Sequence, residues 1–240
     1  MATNDHIPLH MVLLTSIILG SCAGFEPGLR HQDLARNRLP TAIETQKGLE
    51  VSIEEFISSK KSQMAFDSNI AGYGIMALLV RIENKGNSTY RIPRDQMTAV
   101  LDGAPPLERL DGKEAASQGA NRDYAGRALG WTLATGPFAL LFAPLTLAGS
   151  QAHTASVNKT IEEHFGTLEF PDALLKPKES VSGFIYFKLP FGLKRLEKAM
   201  VEIQPMDEVS GEKLSYKFSL PSLDIELPHS RRERKVSENY

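Results

Sequence analysis

One cysteine in 240 residues rules out an internal disulfide, a multi-cysteine zinc site and a C-x-x-C redox pair. Charge of one sign is not in excess either. The 27 Lys and Arg stand against 29 Asp and Glu, a formal net charge of −2, which leaves no electrostatic footprint for a nucleic-acid partner. Common catalytic motifs are missing: the chain has no G-x-S-x-G elbow, no Walker loop and no G-x-G-x-x-G. Setting aside His6 and His10 before the apolar run and His31 soon after it, the remaining histidines, His153, His164 and His229, do not pair at H-x-x-x-H spacing. His164, with Glu162 and Glu163, is the one grouping near metal-ligand chemistry, but adjacent carboxylates on a helix point apart. The expectation is therefore a chain without metal, cofactor or catalytic role, and an enzyme would have to use His153 or His164. What is present, 42% hydrophobic and 23% charged residues, is the composition of a folding chain, long enough for one large or two small domains.

The lone cysteine is informative by position. Cys22 follows the apolar run Met11–Leu19 and the small pair Gly20-Ser21. Such a run of about nine residues is too short for a bilayer span of about 20, and has the layout of a secretory signal. Leu19-Gly20-Ser21-Cys22 resembles the bacterial lipobox. That resemblance implies removal of residues 1–21, acylation of Cys22 with palmitate-type chains and anchoring to a membrane through them. Ala23, in place of an aspartate, then favours the outer membrane, facing the periplasm. The segment before the apolar run departs from the pattern, since it holds Asp5 and no Lys or Arg. Losing it moves the net charge from −2 to −1.

Residues 22–46 mix charge with Pro27, Gly28 and Pro40 and read as a tether. From Gly48 the pattern turns to strands: Val51 and Ile53 alternate, then Met64 and Phe66, then the continuous run Ile75–Ile82. Asn84-Lys85-Gly86-Asn87 is a turn suited to positive φ, and short strands follow over 88–92 and 97–101. A second block over 168–227 holds strands at 181–189, 200–203 and 214–220, punctuated by Pro190, Gly192, Pro205, Gly211 and Pro221. Roughly eight strands result, and the two blocks must share one core because neither alone buries both faces of a sheet. Ala77–Gly86, Met97–Gly103 and Leu175–Phe187 are similar to the strand-turn-strand signatures of bacterial extracytoplasmic immunoglobulin-like domains. The resemblance implies a mainly β protein, an antiparallel immunoglobulin-like β-sandwich over 47–227. It says little of function, since such sandwiches bind, assemble and scaffold alike.

An insertion over 113–166 interrupts the strands. Glu114-Ala115-Ala116 and Arg122–Leu133 favour helix, and Val157, Ile161 and Phe165 recur on one helical face before Gly166 stops it. Ala128–Gly149 carries no charge, and as a straight helix its 22 residues would reach about 33 Å. Three readings stand. It crosses the bilayer, against the presence of Pro137 and Pro144. It is a helical hairpin broken near Gly136-Pro137, with Trp131, Phe138, Leu140, Leu141, Phe142 and Leu145 touching lipid or a partner protein. Or it folds onto the sandwich as extra core. Arg231, Arg232, Arg234 and Lys235 form a basic cluster in a flexible tail over 228–240, suited to a solvated end or to anionic headgroups. Together these expectations describe a lipid-anchored, non-catalytic binding, assembly or scaffold module. The alternative is a membrane-embedded component in which 128–149 spans or oligomerises in the bilayer.

Overall fold

The computed structural model describes residues 25–34, 40–125 and 155–227. Among them are thirteen strands: β1 (Ala42–Gln46), β2 (Leu49–Glu55), β3 (Ile75–Asn84), β4 (Tyr90–Ile92), β5 (Met97–Val100), β6 (Arg109–Leu110), β7 (Ala173–Leu175), β8 (Ser180–Lys188), β9 (Arg195–Leu196), β10 (Met200–Ile203), β11 (Met206–Asp207), β12 (Tyr216–Ser219) and β13 (Leu223–Asp224). Three longer helices accompany them, α1 (Ser59–Phe66), α2 over 112–125 and α3 over 155–168, with short 3-10 helices at His31–Asp33, Ile70–Tyr73 and Arg94–Gln96. The protein is mainly β, with few helices and several antiparallel sheets.

A five-stranded sheet, ordered β1-β2-β3-β8-β6, forms the middle of the fold. Its central pair joins the two sequence blocks: β3 runs antiparallel to β8 from Ile75 opposite Lys188 to Glu83 opposite Ser180. The blocks do share one core. Leu49, Val51 and Ile53 from β2, Met76, Leu78, Val80 and Ile82 from β3, and Ile185 and Phe187 from β8 lie on one face. They pack against Tyr90, Met97, Val201, Tyr216 and Phe218 from the three-stranded sheets β12-β10-β5 and β11-β4-β7. Ile75, Ala77 and Leu79, with Phe184 and Tyr186, point the other way into a second core lined by the helices. This explains the unbroken run Ile75–Ile82. A strand covered on both faces has no solvent side to alternate with.

Several expectations are corrected. Residues 25–34 and 42–46, read as tether, belong to the fold: Leu29 and Leu34 are buried, and β1 pairs with β2 along its whole length. The two strands are joined through Lys47 and Gly48, both at positive φ, as a two-residue hairpin requires. Asn84–Asn87 turns without any positive φ. Met64 and Phe66 are helical, because the Ser58 hydroxyl caps α1 by accepting from the Lys61 N–H at 3.4 Å, and Asp67 ends the helix in the left-handed region. Gly166 does not stop α3, which continues to 168. The expected eight strands are thirteen, four of them two residues long.

Candidate functional site

Both described flanks of the insertion are built into the back of the central sheet. Asp111 opens α2 with a reciprocal cap, its carboxylate accepting from the Glu114 N–H at 2.7 Å while the Glu114 side chain accepts from the Asp111 N–H at 3.0 Å. The helix buries Ala115, Ala116 and Ala120 and widens to a π-helical turn over Ala116–Ala120. In α3 the residues Val157, Ile161, Phe165 and Leu168 are buried on one face, as their spacing predicts. The helices touch where α2 begins and α3 ends. A Cβ on Gly112 would lie 2.9 Å from the Gly166 Cα, so only glycine permits this approach.

Aromatic rings fill the space between helices and sheet. Phe66 stacks on Phe165 with centroids 4.7 Å apart and meets Phe184 edge-on at 5.0 Å. Phe56 approaches Phe184 at 4.8 Å. The buried Tyr186 hydroxyl donates to the Phe165 carbonyl at 3.4 Å, and burial holds its phenol well above the ordinary pKa. His164 also faces this layer. Its Nε2 lies 2.9 Å from the Ala65 carbonyl, which can only accept, so Nε2 carries the proton. Phe25 packs edge-on against the ring at 5.3 Å, and burial pushes the imidazole pKa down. His164 is thus committed to the α1–α3 contact, not to Glu162 or Glu163. No cluster of three His, Cys, Asp or Glu suited to a metal occurs among the described residues.

A second feature is an open groove of about 620 Å³ beside β4, β6 and β7, lined by Arg91, Arg94, Arg109, Asp172 and Leu174 among others. Two of its three guanidinium groups are engaged. Arg91 donates twice to Glu208, at 2.9 and 2.7 Å. Arg94 pairs with Glu169, whose other oxygen accepts from the Gly112 N–H at 2.9 Å, so one carboxylate ties the groove to the start of α2. The Asp172 carboxylate accepts from the Arg94 N–H at 2.8 Å. Arg109 makes no ion pair among the described residues. The lining contains no Ser, Cys, His, Lys or Tyr. Its chemistry is that of a shallow polar recess, with one cation left to meet an anion. This recess is assembled from three segments distant in sequence, 91–95, 109 and 172–174, and no local motif announces it.

The residues singled out from the sequence, Cys22, Trp131, Phe138, Leu140, Leu141, Phe142 and Leu145, lie outside the described residues, as do His153 and the basic cluster. Among the described residues no helix is long and apolar enough to cross a membrane. No family model matches the chain, and no curated protein does. Among solved structures, one that matches is YcdA of Bacillus subtilis, provisionally described as a lipoprotein, at 12% identity and a TM-score of 0.35. The match covers 84% of this chain and 43% of that one, so this chain spans less than half of it. At that score the likeness carries no argument about fold or activity.

Proposed function

We propose that this chain is a lipid-anchored, non-catalytic module of the bacterial cell envelope, an immunoglobulin-like sandwich held through Cys22 to the outer membrane and facing the periplasm. It acts by binding or assembly, and presents residues 128–149 to a membrane or a protein partner. One observation supports this most. The helical flanks of the insertion are fastened to the central sheet by Phe165, Ile161, Ala116 and Ala120, so the charge-free stretch departs from a rigid base. Beneath that base Phe56, Phe66, Phe184 and Tyr186 pack against one another as one aromatic cluster. A charge-free apolar segment carried on such a base is suited to an external surface.

Deleting 128–149 tests the reading. The expected product is folded, with an unchanged urea midpoint, and has lost cross-links formed from Phe138 in intact cells. Unfolding of the deletion variant would make the segment part of the core and sink the proposal. For the anchor, Cys22→Ser is expected to abolish incorporation of radiolabelled acyl chains, and persistent labelling would refute it.

A further inference from the structure

Chain segments far apart in sequence arrive at one end of the central sheet, where β3 begins and β8 finishes. Ile75 stands opposite Lys188 there, and the Leu189 N–H donates to the Gly74 carbonyl at 2.8 Å. The Ile225 N–H donates to the Lys194 carbonyl at 2.8 Å, and Asn69 Nδ2 donates to the Glu226 carbonyl at 2.8 Å. Leu227, the last described residue before the basic tail, therefore leaves the fold at this end. Two residues before Asn69, the Asp67 carboxylate accepts from the Glu26 N–H at 3.3 Å, which places the chain four residues after Cys22 here as well. The Tyr73 hydroxyl, adjacent to Gly74, donates to Asp123 at 3.1 Å, which brings the end of α2 to the same place.

Between these exits stands a turn over 190–193, closed by the Leu193 N–H donating to the Pro190 carbonyl at 3.3 Å, with Gly192 at φ 74°. Turns at a protein surface ordinarily carry polar residues, yet this one reads Pro190-Phe191-Gly192-Leu193 between Lys188 and Lys194. Phe191 is fully exposed, at 106%. Lys188 pairs with Glu108, whereas Lys194 has no ion pair among the described residues.

We propose that this end of the sheet faces the lipid bilayer and that the Phe191 ring enters its interfacial region as a second contact beside the acyl anchor. The inference rests on the anchor reading of Cys22. Only Ala23 and Gly24 separate Cys22 from Phe25, three steps of at most about 10 Å of extended chain, so acyl chains on Cys22 hold this end close to the surface. A phenyl ring already fixed in a tight turn gains burial in lipid while losing little conformational freedom. Lys194 then carries its ammonium group among the headgroups, while Lys188 stays paired with Glu108. The other large side chain exposed nearly as fully, Val209 at 89%, lies at the opposite end, where Glu208 N–H donates to the Thr89 carbonyl and Lys47 pairs with Glu212. It supplies a built-in control.

The test uses the full-length acylated chain carrying Phe191→Cys, in which Cys22 is blocked and the new thiol is the free one. A nitrobenzoxadiazole probe on it is read in vesicles of phosphatidylethanolamine and phosphatidylglycerol. Emission is expected to rise several-fold and to be quenched by nitroxide-bearing lipids, while the same probe at Val209→Cys stays water-like. A water-like probe at 191, or equal quenching at 209, overturns the inference. Acyl incorporation is scored separately in the same preparation, and its absence counts against the anchor alone. In the Cys22→Ser chain the 191 probe is expected to lose most of its response on the same vesicles, because the anchor holds this end at the surface, and an undiminished response overturns the dependence of the contact on Cys22.

Discussion

A Cβ on Gly183 would lie 2.4 Å from the Phe170 Cα. The chain leaving α3 is pressed onto β8 at this point, with the Phe170 N–H donating to the Phe184 carbonyl at 2.8 Å and Glu169 bridging Phe184 in parallel. That crossing lets Phe170 point into the core between the sheets while Phe165, just upstream, fills the helical one.

Gly183→Ala is therefore expected to lower stability by about 3 kcal/mol, the upper part of the range for overpacking, because backbone rather than a side chain must move. Urea denaturation checks it. A loss under about 0.5 kcal/mol, as at an ordinary surface site, would mean the crossing is not rigid.

Asn84 is a buried polar counterpart at the end of β3. It is fully buried, and its Nδ2 donates to the carbonyls of Ser88 at 2.7 Å and Leu175 at 3.2 Å, while Oδ1 accepts from the Gly86 N–H at 3.1 Å. Asn84→Ala leaves three backbone groups without these partners, and a loss of roughly 2–4 kcal/mol is expected from that desolvation. Asn84→Asp is expected to be no better, since a carboxylate would face two carbonyl oxygens. Thermal or urea unfolding of the two variants separates this account from a simple volume effect, which would spare Asp.

Burial lowers the His164 pKa below its ordinary 6.5, and that sets a sign. Below pH 6.5 the unfolded chain binds a proton that the folded chain resists, so this contribution is complete above 6.5 and is lost as the pH falls toward the folded value. Urea midpoints of the native chain are expected to fall on acidification from pH 7 more steeply than those of His164→Gln, which keeps a neutral donor toward the Ala65 carbonyl. Parallel pH profiles would remove His164 as the source.

The Tyr216 hydroxyl reaches the carbonyls of Leu49 at 2.7 Å and Gln46 at 3.2 Å, across the β1–β2 hairpin from the facing sheet. Tyr216→Phe is expected to cost about 1–2 kcal/mol and to loosen β1 selectively. Burial raises the phenol pKa above 10, so the folded state holds the proton longer, and this contribution is lost as the pH rises beyond 10. Amide exchange over 42–46 reads the first effect, and alkaline unfolding of the two chains reads the second.

The longest strands were legible in the sequence because burial acts on them directly. Ile75–Ile82 and Val181–Leu189 are apolar enough to declare themselves, and the strand read at 200–203 has the bounds of β10. β1 was not legible, since Ala-Ile-Glu-Thr-Gln at a sheet edge is only half-buried and its turn, Lys47-Gly48, lacks the Asn or Asp that usually marks such a hairpin. The reading of Met64 and Phe66 as a strand failed because two apolar residues fit both periods, and the hydroxyl of Ser58 decided for the helix. For the site, the spacing of Val157, Ile161 and Phe165 showed a buried helical face, but not that its partner is the back of β3 and β8. The Arg94–Glu169 tie is formed between residues whose neighbours in sequence say nothing of each other.

The pairing of β3 with β8 has a further consequence, for the order of events when the chain is made. Residues 75–84 emerge early, yet the strand that covers their open edge, 180–188, comes only after the whole insertion has followed. Until then an apolar strand offers a bare edge to any neighbouring chain. A topology that defers its central contact so long folds slowly. Newly made copies would therefore depend on escorts that hold unfolded chains apart, and truncation anywhere before residue 188 would leave a fragment prone to aggregate rather than a smaller working domain.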